Sequence, residues 1–546
     1  MNYKQVKGFN SAANIFLRGN YFDSMRTLKF YKIYLFIILI VDISLLVLGI
    51  KYVGIGWDAQ IDSIAATEFE NVRQYSDLQT AYSNIFYTSE FYGNFLQYSA
   101  NKLKSFFNSA ETVIDPYAIN TYKWQTFVNV LIFIFLGIVL SSTTKLIFNS
   151  FKIELYTLTV YLTFPVLFGM SLVNFKDIPV MAGVSLVSCG FIQILATGKH
   201  RYLNFFALIT IGLIISFGTR VGIFYILIFI ILCNYLFILM LKSFKKINLN
   251  ILYLTVSLLL SLFCAFFILR IINPLIKIDI IQLIIDSYNM TSNNPLSIDN
   301  KIANQTLNST NLPWWYIPVW LIVKIPLLQL LIFIISLVLL FKTYISHFYS
   351  NKLYFVFPFI VQSVIVPILL IVYRPVMYDE IRHILFIYTG LILFNSVFFY
   401  GVMTYKPKKS FLIRNLVILL FMLLPFLNLV YVYKWFPYSY AYINEIGKYS
   451  GQEKSWDVDY WGVSSQEGVM KLQKYSLNAI VVSPSISTSF YLGTKKPEDL
   501  DMFEKSNYGF YKFYRFDNFN FDDNCEKIFE ISRDGFKLGA GAICSE

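Results

Sequence analysis

The chain has 546 residues, of which 56% are hydrophobic and only 14% charged, with a formal net charge of +12. That balance excludes a soluble globular protein. The lysines and arginines sit in short clusters between apolar runs, so the positive charge reads as membrane topology and not as a nucleic-acid surface.

In chain order, residues 1–32 are polar and basic with no small-residue cleavage site, so the apolar run 33–50 is expected to stay as an anchoring helix. Ten further candidate runs for a bilayer of about 30 Å follow near 124–142, 153–172, 178–196, 203–218, 221–241, 250–270, 325–343, 353–373, 384–403 and 411–432, of which 203–218 is short and nearly abuts 221–241. Every second connection is rich in Lys or Arg, from Lys4 to Lys32, then Lys145 and Lys152, Lys199 and Arg201, Lys242 to Lys246, Lys342 and Lys352, and Lys406 to Arg414. The alternation places the N-terminus in the cytoplasm and, with eleven spans, the tail outside.

The expected fold is therefore an all-α polytopic membrane protein of about eleven transmembrane helices, with N-terminal segment 1–32, membrane domain 33–433 and extracytoplasmic domain 434–546. Of its two long external loops, 51–123 has the polar spacing of amphipathic helices at the interface, and 271–324 carries Trp and Tyr near its end. In the tail, Ala479–Val482 and Phe510–Arg515 read as strands and Ser465–Tyr475 as a helix, which gives a small α/β domain. Cys189, Cys233 and Cys264 lie in apolar runs and read as packing residues, whereas Cys525 and Cys544 could pair if the tail is outside. The chain has no internal repeat and no cofactor or Cys/His metal motif.

Chemical character collects in the external turns. Asp58 and Asp62 follow the first run within Gly54-Ile-Gly-Trp-Asp-Ala-Gln-Ile-Asp62. Lys176 and Asp177 occupy the turn Asn174-Phe-Lys-Asp-Ile-Pro179, and Arg220 lies between glycines in Gly218-Thr-Arg-Val-Gly222. Asp379, Arg382 and His383 fall in Arg374-Pro-Val-Met-Tyr-Asp-Glu-Ile-Arg-His383, while His200 and His347 fall in cytoplasmic connections. The block Leu312-Pro-Trp-Trp-Tyr-Ile-Pro-Val-Trp320 precedes Lys324 and reads as an interfacial aromatic belt or a platform for lipid or sugar. Taken singly, each is as readily an ordinary turn, a snorkelling cation or a self-neutralising surface cluster. Together they supply carboxylates for proton abstraction and cations for an anionic, membrane-held substrate on one face.

This order of pieces resembles bacterial C-type (GT-C) integral-membrane glycosyltransferases, relatives of protein O-mannosyltransferases and aminoarabinose transferases. The tail segments Phe436-Pro-Tyr-Ser-Tyr-Ala-Tyr-Ile-Asn444 and Asp457-Val-Asp-Tyr-Trp-Gly-Val-Ser464 are similar to the same group. The chain departs from it in reading Trp-Asp-Ala-Gln where an acidic pair is common, which leaves Asp58 and Asp62 as alternative bases, and in Gly447-Lys448 after Asn444. The resemblance implies a GT-C-like fold in a bacterial inner membrane. It implies inverting transfer of a sugar from a polyprenyl-phosphate carrier to a glycan, lipid or protein acceptor on the outer face. Asp58 would be the general base, and Asp177 would orient the acceptor or bind a divalent cation. Arg220, Arg382, Lys324 and His383 would bind the phosphate, with Asp62, Lys176 and Asp379 beside the substrate. The alternative is a lipid-linked sugar flippase, which needs polar groups through the membrane midplane.

Overall fold

The computed structural model describes residues 25–72, 75–83, 93–107, 119–197, 201–292, 297–335, 338, 353–404, 411–450, 456–475, 477, 480–483, 494–495, 508–513 and 521–545. The basic stretches 1–24, 341–352 and 405–410, with His200 and His347, lie outside these residues.

The chain is mostly helical, and its long apolar runs are why: a backbone in hydrocarbon has to satisfy its own hydrogen bonds, which a helix does within one segment. The first helices are α1 (Met25–Tyr52), α2 (Trp57–Asn71), α3 (Leu78–Ser83), α4 (Phe95–Phe107), α5 (Ile119–Phe148), α6 (Phe151–Leu162), α7 (Pro165–Val173) and α8 (Asp177–Thr197). Then come α9 (Tyr202–Thr219), α10 (Phe224–Ser243), α11 (Ile251–Ile272), α12 (Pro274–Ile278), α13 (Ile280–Ser292) and the hairpin β1 (Asp299–Ile302) with β2 (Gln305–Asn308). The membrane part closes with α14 (Tyr316–Lys324), α15 (Leu327–Ile335), α16 (Tyr354–Tyr373), α17 (Phe386–Thr404) and α18 (Phe411–Trp435).

Among the described residues nine helices are long and apolar enough to cross a membrane, or eleven if each of two bent pairs is one span. This is a multi-pass membrane protein. The first bend falls inside the run 153–172, where α6 and α7 meet at 59° with Pro165 opening α7; the second falls at the border of the loop 271–324 and the run 325–343, where α14 and α15 meet at 116° across Ile325-Pro326. A proline at the first helical position starts a new helix and cannot extend the old one. Asn444 fastens the second break, its Nδ2 donating to the carbonyls of Ile322 at 2.6 Å and Ile325 at 2.7 Å.

Helix α8 is buried along its whole length, while α11 and α18 expose most of theirs, so α8 is the axis of the bundle and the others face lipid. Gly183 of α8 and Gly212 of α9 let the two backbones touch, since a Cβ on Gly183 would come within 2.4 Å of the Gly212 carbonyl oxygen. In the middle of the bundle Gln362, in a π-helical turn of α16, donates to Phe386 O at 2.7 Å and Thr389 Oγ1 at 2.9 Å and accepts from Ser188 at 2.6 Å.

After α18 the chain forms the short helices α19 (Glu445–Ser450) and α20 (Ser465–Leu472) and the strands β3 (Ile480–Ser483), β4 (Thr494–Lys495), β5 (Tyr508–Phe513), β6 (Cys525–Arg533) and β7 (Phe536–Cys544). They make a five-stranded sheet of order β4-β3-β5-β7-β6, in which β3 is parallel to β4 and β5 and the rest is antiparallel. Cys525 and Cys544 face each other across β6 and β7 and are disulfide-bonded. Both expected strands and the tail helix are present, although residues 479 and 514–515 of those expectations lie outside the described set. The loop expected to be amphipathic helix forms α2, α3 and α4, and the hairpin β1–β2 within 271–324 was not anticipated.

Candidate functional site

Asp58 lies in the first turn of α2, where the helix dipole favours a carboxylate. Asp62 lies one turn further on the same face. The approach to this helix is fixed by Gly54, where a Cβ would fall 2.1 Å from the carbonyl oxygen of Val463. It is fixed again by Trp57, whose backbone N donates to Trp461 O at 2.9 Å.

The Asn174 side chain shapes the next turn. Its Oδ1 accepts from the backbone N of Asp177 at 2.7 Å and of Lys176 at 3.1 Å, and its Nδ2 donates to Asp177 Oδ2 at 2.8 Å. That single amide holds the two ionisable residues apart and aims them in different directions. Lys176 reaches α2, with Nζ 2.7 Å from Asp62 Oδ1 and 4.0 Å from Asp58 Oδ2. Asp177 is 2% exposed and meets two arginines, Arg220 Nη2 at 3.1 Å and Arg382 Nη1 at 3.3 Å.

Arg382 is the hub. Besides Asp177 it meets Asp379 Oδ2 at 3.2 Å and Asp58 Oδ2 at 3.6 Å, and its guanidinium lies 5.0 Å from the Tyr378 ring centre and 5.1 Å from that of Trp461. The turn that carries it is strained: Asp379 and Glu380 have φ of +54° and +69°, a conformation that side chains with a Cβ adopt only when their surroundings impose it. Asn300 of β1 imposes it in part, its Oδ1 accepting from Asp379 N at 2.9 Å.

Burial pushes the Asp62 carboxyl up to about 6, with Asp58 adding to the rise and Lys176 opposing it. Burial, with Arg382 and Arg220 beside it, holds His383 well below its ordinary value, so its imidazole is neutral and enters the site as a hydrogen-bonding group and not as a charge. Its Nδ1 has no hydrogen-bond partner among the described residues.

The structure thus gathers Asp58, Asp62, Lys176, Asp177, Arg220, Asp379 and Arg382 through direct contacts, with His383 adjoining. Lys324 is not in that contact set. It is fully buried and paired with Glu380, donating also to Tyr440 O at 3.2 Å. Burial raises the Glu380 carboxyl against the pull of Lys324. Of the aromatic block, Tyr316 and Trp320 are core residues and Trp314 is exposed. Glu380, Asn300, Tyr378 and Trp461 are the participants that sequence reasoning gave no role.

Asp58, with its side chain 33% exposed, is the most open carboxylate of the cluster. Among the described residues no three His, Cys, Asp or Glu side chains are grouped as a metal site requires. The Asp177 oxygens face two guanidinium groups and an amide, so this donor set does not fit the divalent cation expected there. If all are ionised, four carboxylates oppose three cations, and an arriving anion has to displace one of them. Asp58, 3.6 Å from Arg382 Nη1 and 4.0 Å from Lys176 Nζ, is the one most exposed to such an arrival. Comparison of the chain with protein-family models, with curated proteins and with solved structures finds no match.

Proposed function

We propose that this protein is a membrane glycosyltransferase that moves a sugar from a polyprenyl-phosphate carrier to an acceptor on the extracytoplasmic face of a bacterial inner membrane, with inversion and with Asp58 as general base. The observation that carries the reading is the meeting of Asp58, Lys176, Asp177, Arg220 and Arg382 from four separate helix ends, with Asp58 alone substantially open. The GT-C-like fold and the external position of the tail belong to the same proposal, supported by the Lys and Arg pattern of the sequence.

The donor phosphate, a monoanionic diester, competes with Asp58 for Arg382 and Lys176. Its binding frees the Asp58 carboxylate beside the reacting centre. Asp58 takes the proton of the acceptor hydroxyl or amine, the acceptor atom bonds to the anomeric carbon, and the bond from that carbon to the phosphate oxygen breaks. Polyprenyl phosphate leaves with the electron pair and a second negative charge, which Arg382 and Arg220 stabilise where it develops. Asp177 is a positioning residue that holds both arginines.

The test is transfer of labelled sugar from polyprenyl-phosphate donors by the purified chain in lipid. Asp58→Asn is expected to lower turnover by roughly 10²–10⁴-fold while folding is retained. Full activity in Asp58→Asn sinks the base assignment, and absence of turnover with any donor sinks the reaction class.

A second reading, transport of a lipid-linked sugar, is favoured by Asp42. This acid is fully buried within α1, and neither carboxylate oxygen has a hydrogen-bond partner among the described residues. Asp42→Asn leaves turnover unchanged if the chain is a transferase and abolishes lipid-linked sugar movement if it is a carrier.

A further inference from the structure

The tail does not merely follow the membrane domain, because one of its segments touches β1, the start of α2 and Arg382. Asp457 pairs with Lys301 of β1 through backbone and side chain, Lys301 N donating to Asp457 Oδ2 at 2.7 Å and Asp457 N to Lys301 O at 3.2 Å. The neighbouring Asn300 holds the backbone of Asp379. Trp461 receives the backbone N–H of Trp57 at the start of α2, and its ring lies against Arg382. Val463 packs on Gly54.

This segment is itself braced. The Asp459 carboxylate accepts from Val463 N at 2.9 Å, from Ser464 N at 3.1 Å and from the Tyr440 hydroxyl, and Gly462 takes φ +64° to close the turn. Trp461 is 2% exposed, stacks on Tyr440 at 5.8 Å, and its Nε1–H has no acceptor among the described residues. What fixes Trp461 is therefore its packing and its backbone.

We propose that Trp461 is a positioning residue for donor binding. Its ring sets the plane of the Arg382 guanidinium, and its carbonyl sets the start of the helix that bears Asp58. A guanidinium engages carboxylate and phosphate through the edge of its plane. An aromatic face against it leaves that edge directed at Asp177, Asp379 and Asp58 and, when donor is bound, at the phosphate. The assignment rests on the proposed role of Arg382 in phosphate binding.

The experiment uses the full chain in lipid nanodiscs and labelled polyprenyl-phosphate sugar, comparing wild type, Trp461→Phe and Trp461→Leu. Trp461→Leu is expected to raise the donor KM about thirtyfold, the size of a desolvated cation–π contact. The acceptor KM stays at the wild-type value, and Trp461→Phe, which keeps a ring, restores the donor KM. An unchanged donor KM in Trp461→Leu, or a Phe variant as impaired as Leu, overturns the proposal. A thermal-melting cycle of Trp461→Leu with Arg382→Lys reads the same contact without turnover. If wild type turns over no donor, the transferase reading falls and this cycle decides the positioning alone: non-additive shifts sustain it and additive shifts overturn it.

Discussion

Two polar clusters in this protein are built on opposite principles. Around Gln362 in the bundle interior, amide, hydroxyl and carbonyl groups from α8, α16 and α17 satisfy one another and carry no charge. Where α8 and α17 begin, beside the start of α2 and the end of α9, four carboxylates and three cations share contacts in a shell that opens at Asp58. The first arrangement suits structure, since a neutral satisfied network in low dielectric holds helices in register. The second suits chemistry, since its ion pairs can be exchanged for those of an arriving anion.

The comparison breaks most sharply at Asp177. Asp177→Ala leaves Arg220 and Arg382 without a shared buried partner, and the expected cost is about 3–5 kcal/mol of stability with complete loss of turnover, read by thermal melting and transfer assay. If the variant melts like wild type, the ion pairs are not what holds these helix ends together. In the neutral cluster, Gln362→Leu takes the acceptor from Ser188 and leaves Ser185 and Thr389 with each other; it is expected to cost about 1–3 kcal/mol while leaving the KM for donor unchanged. A large change in KM there would mean that the interior network reaches the site.

The smallest effect is one of pH. Because burial raises the Asp62 carboxyl, it takes up a proton on folding, so its own contribution to stability declines as pH rises from the ordinary carboxylate range to about 6 and is constant above. Activity runs the other way, because only the ionised form pairs fully with Lys176. Turnover is expected to rise through an acidic limb near pH 6 in wild type, and that limb is lost in Asp62→Asn. A limb unmoved by the substitution would assign the titration to another group.

The membrane helices were legible because a span requires a long apolar run, and the runs at 178–196 and 384–403 match α8 and α17 closely. The bend at Pro165 was not, since a proline among apolar residues leaves the hydropathy of a run intact, and α14 was read as the end of an external loop because its aromatic block looked like an interfacial belt. The hairpin β1–β2 escaped because its turn places Ala303 and Asn304 at positive φ without the Asn-Gly or Asp-Gly pair that announces such a turn. In the site, the ionisable residues of the tight turns were readable as groups out of place beside apolar helices. Lys324 looked alike by that criterion, yet Glu380, 56 positions away in the chain, neutralises it. Trp461 lay within a motif noticed for its resemblance, but the cation it faces could be known only from the folded chain.

The anchoring of α2 by Trp461 also sets an order of events in synthesis. Trp57 and Trp461 are about 400 residues apart, which at roughly 5–20 residues per second separates their emergence by tens of seconds. The carboxylates Asp58 and Asp177 and the arginines Arg220 and Arg382 all enter the membrane before that partner exists. A nascent chain can therefore insert its helices in sequence while its site is still incomplete, and it gains a finished site only when the segment beyond the last span folds back over it.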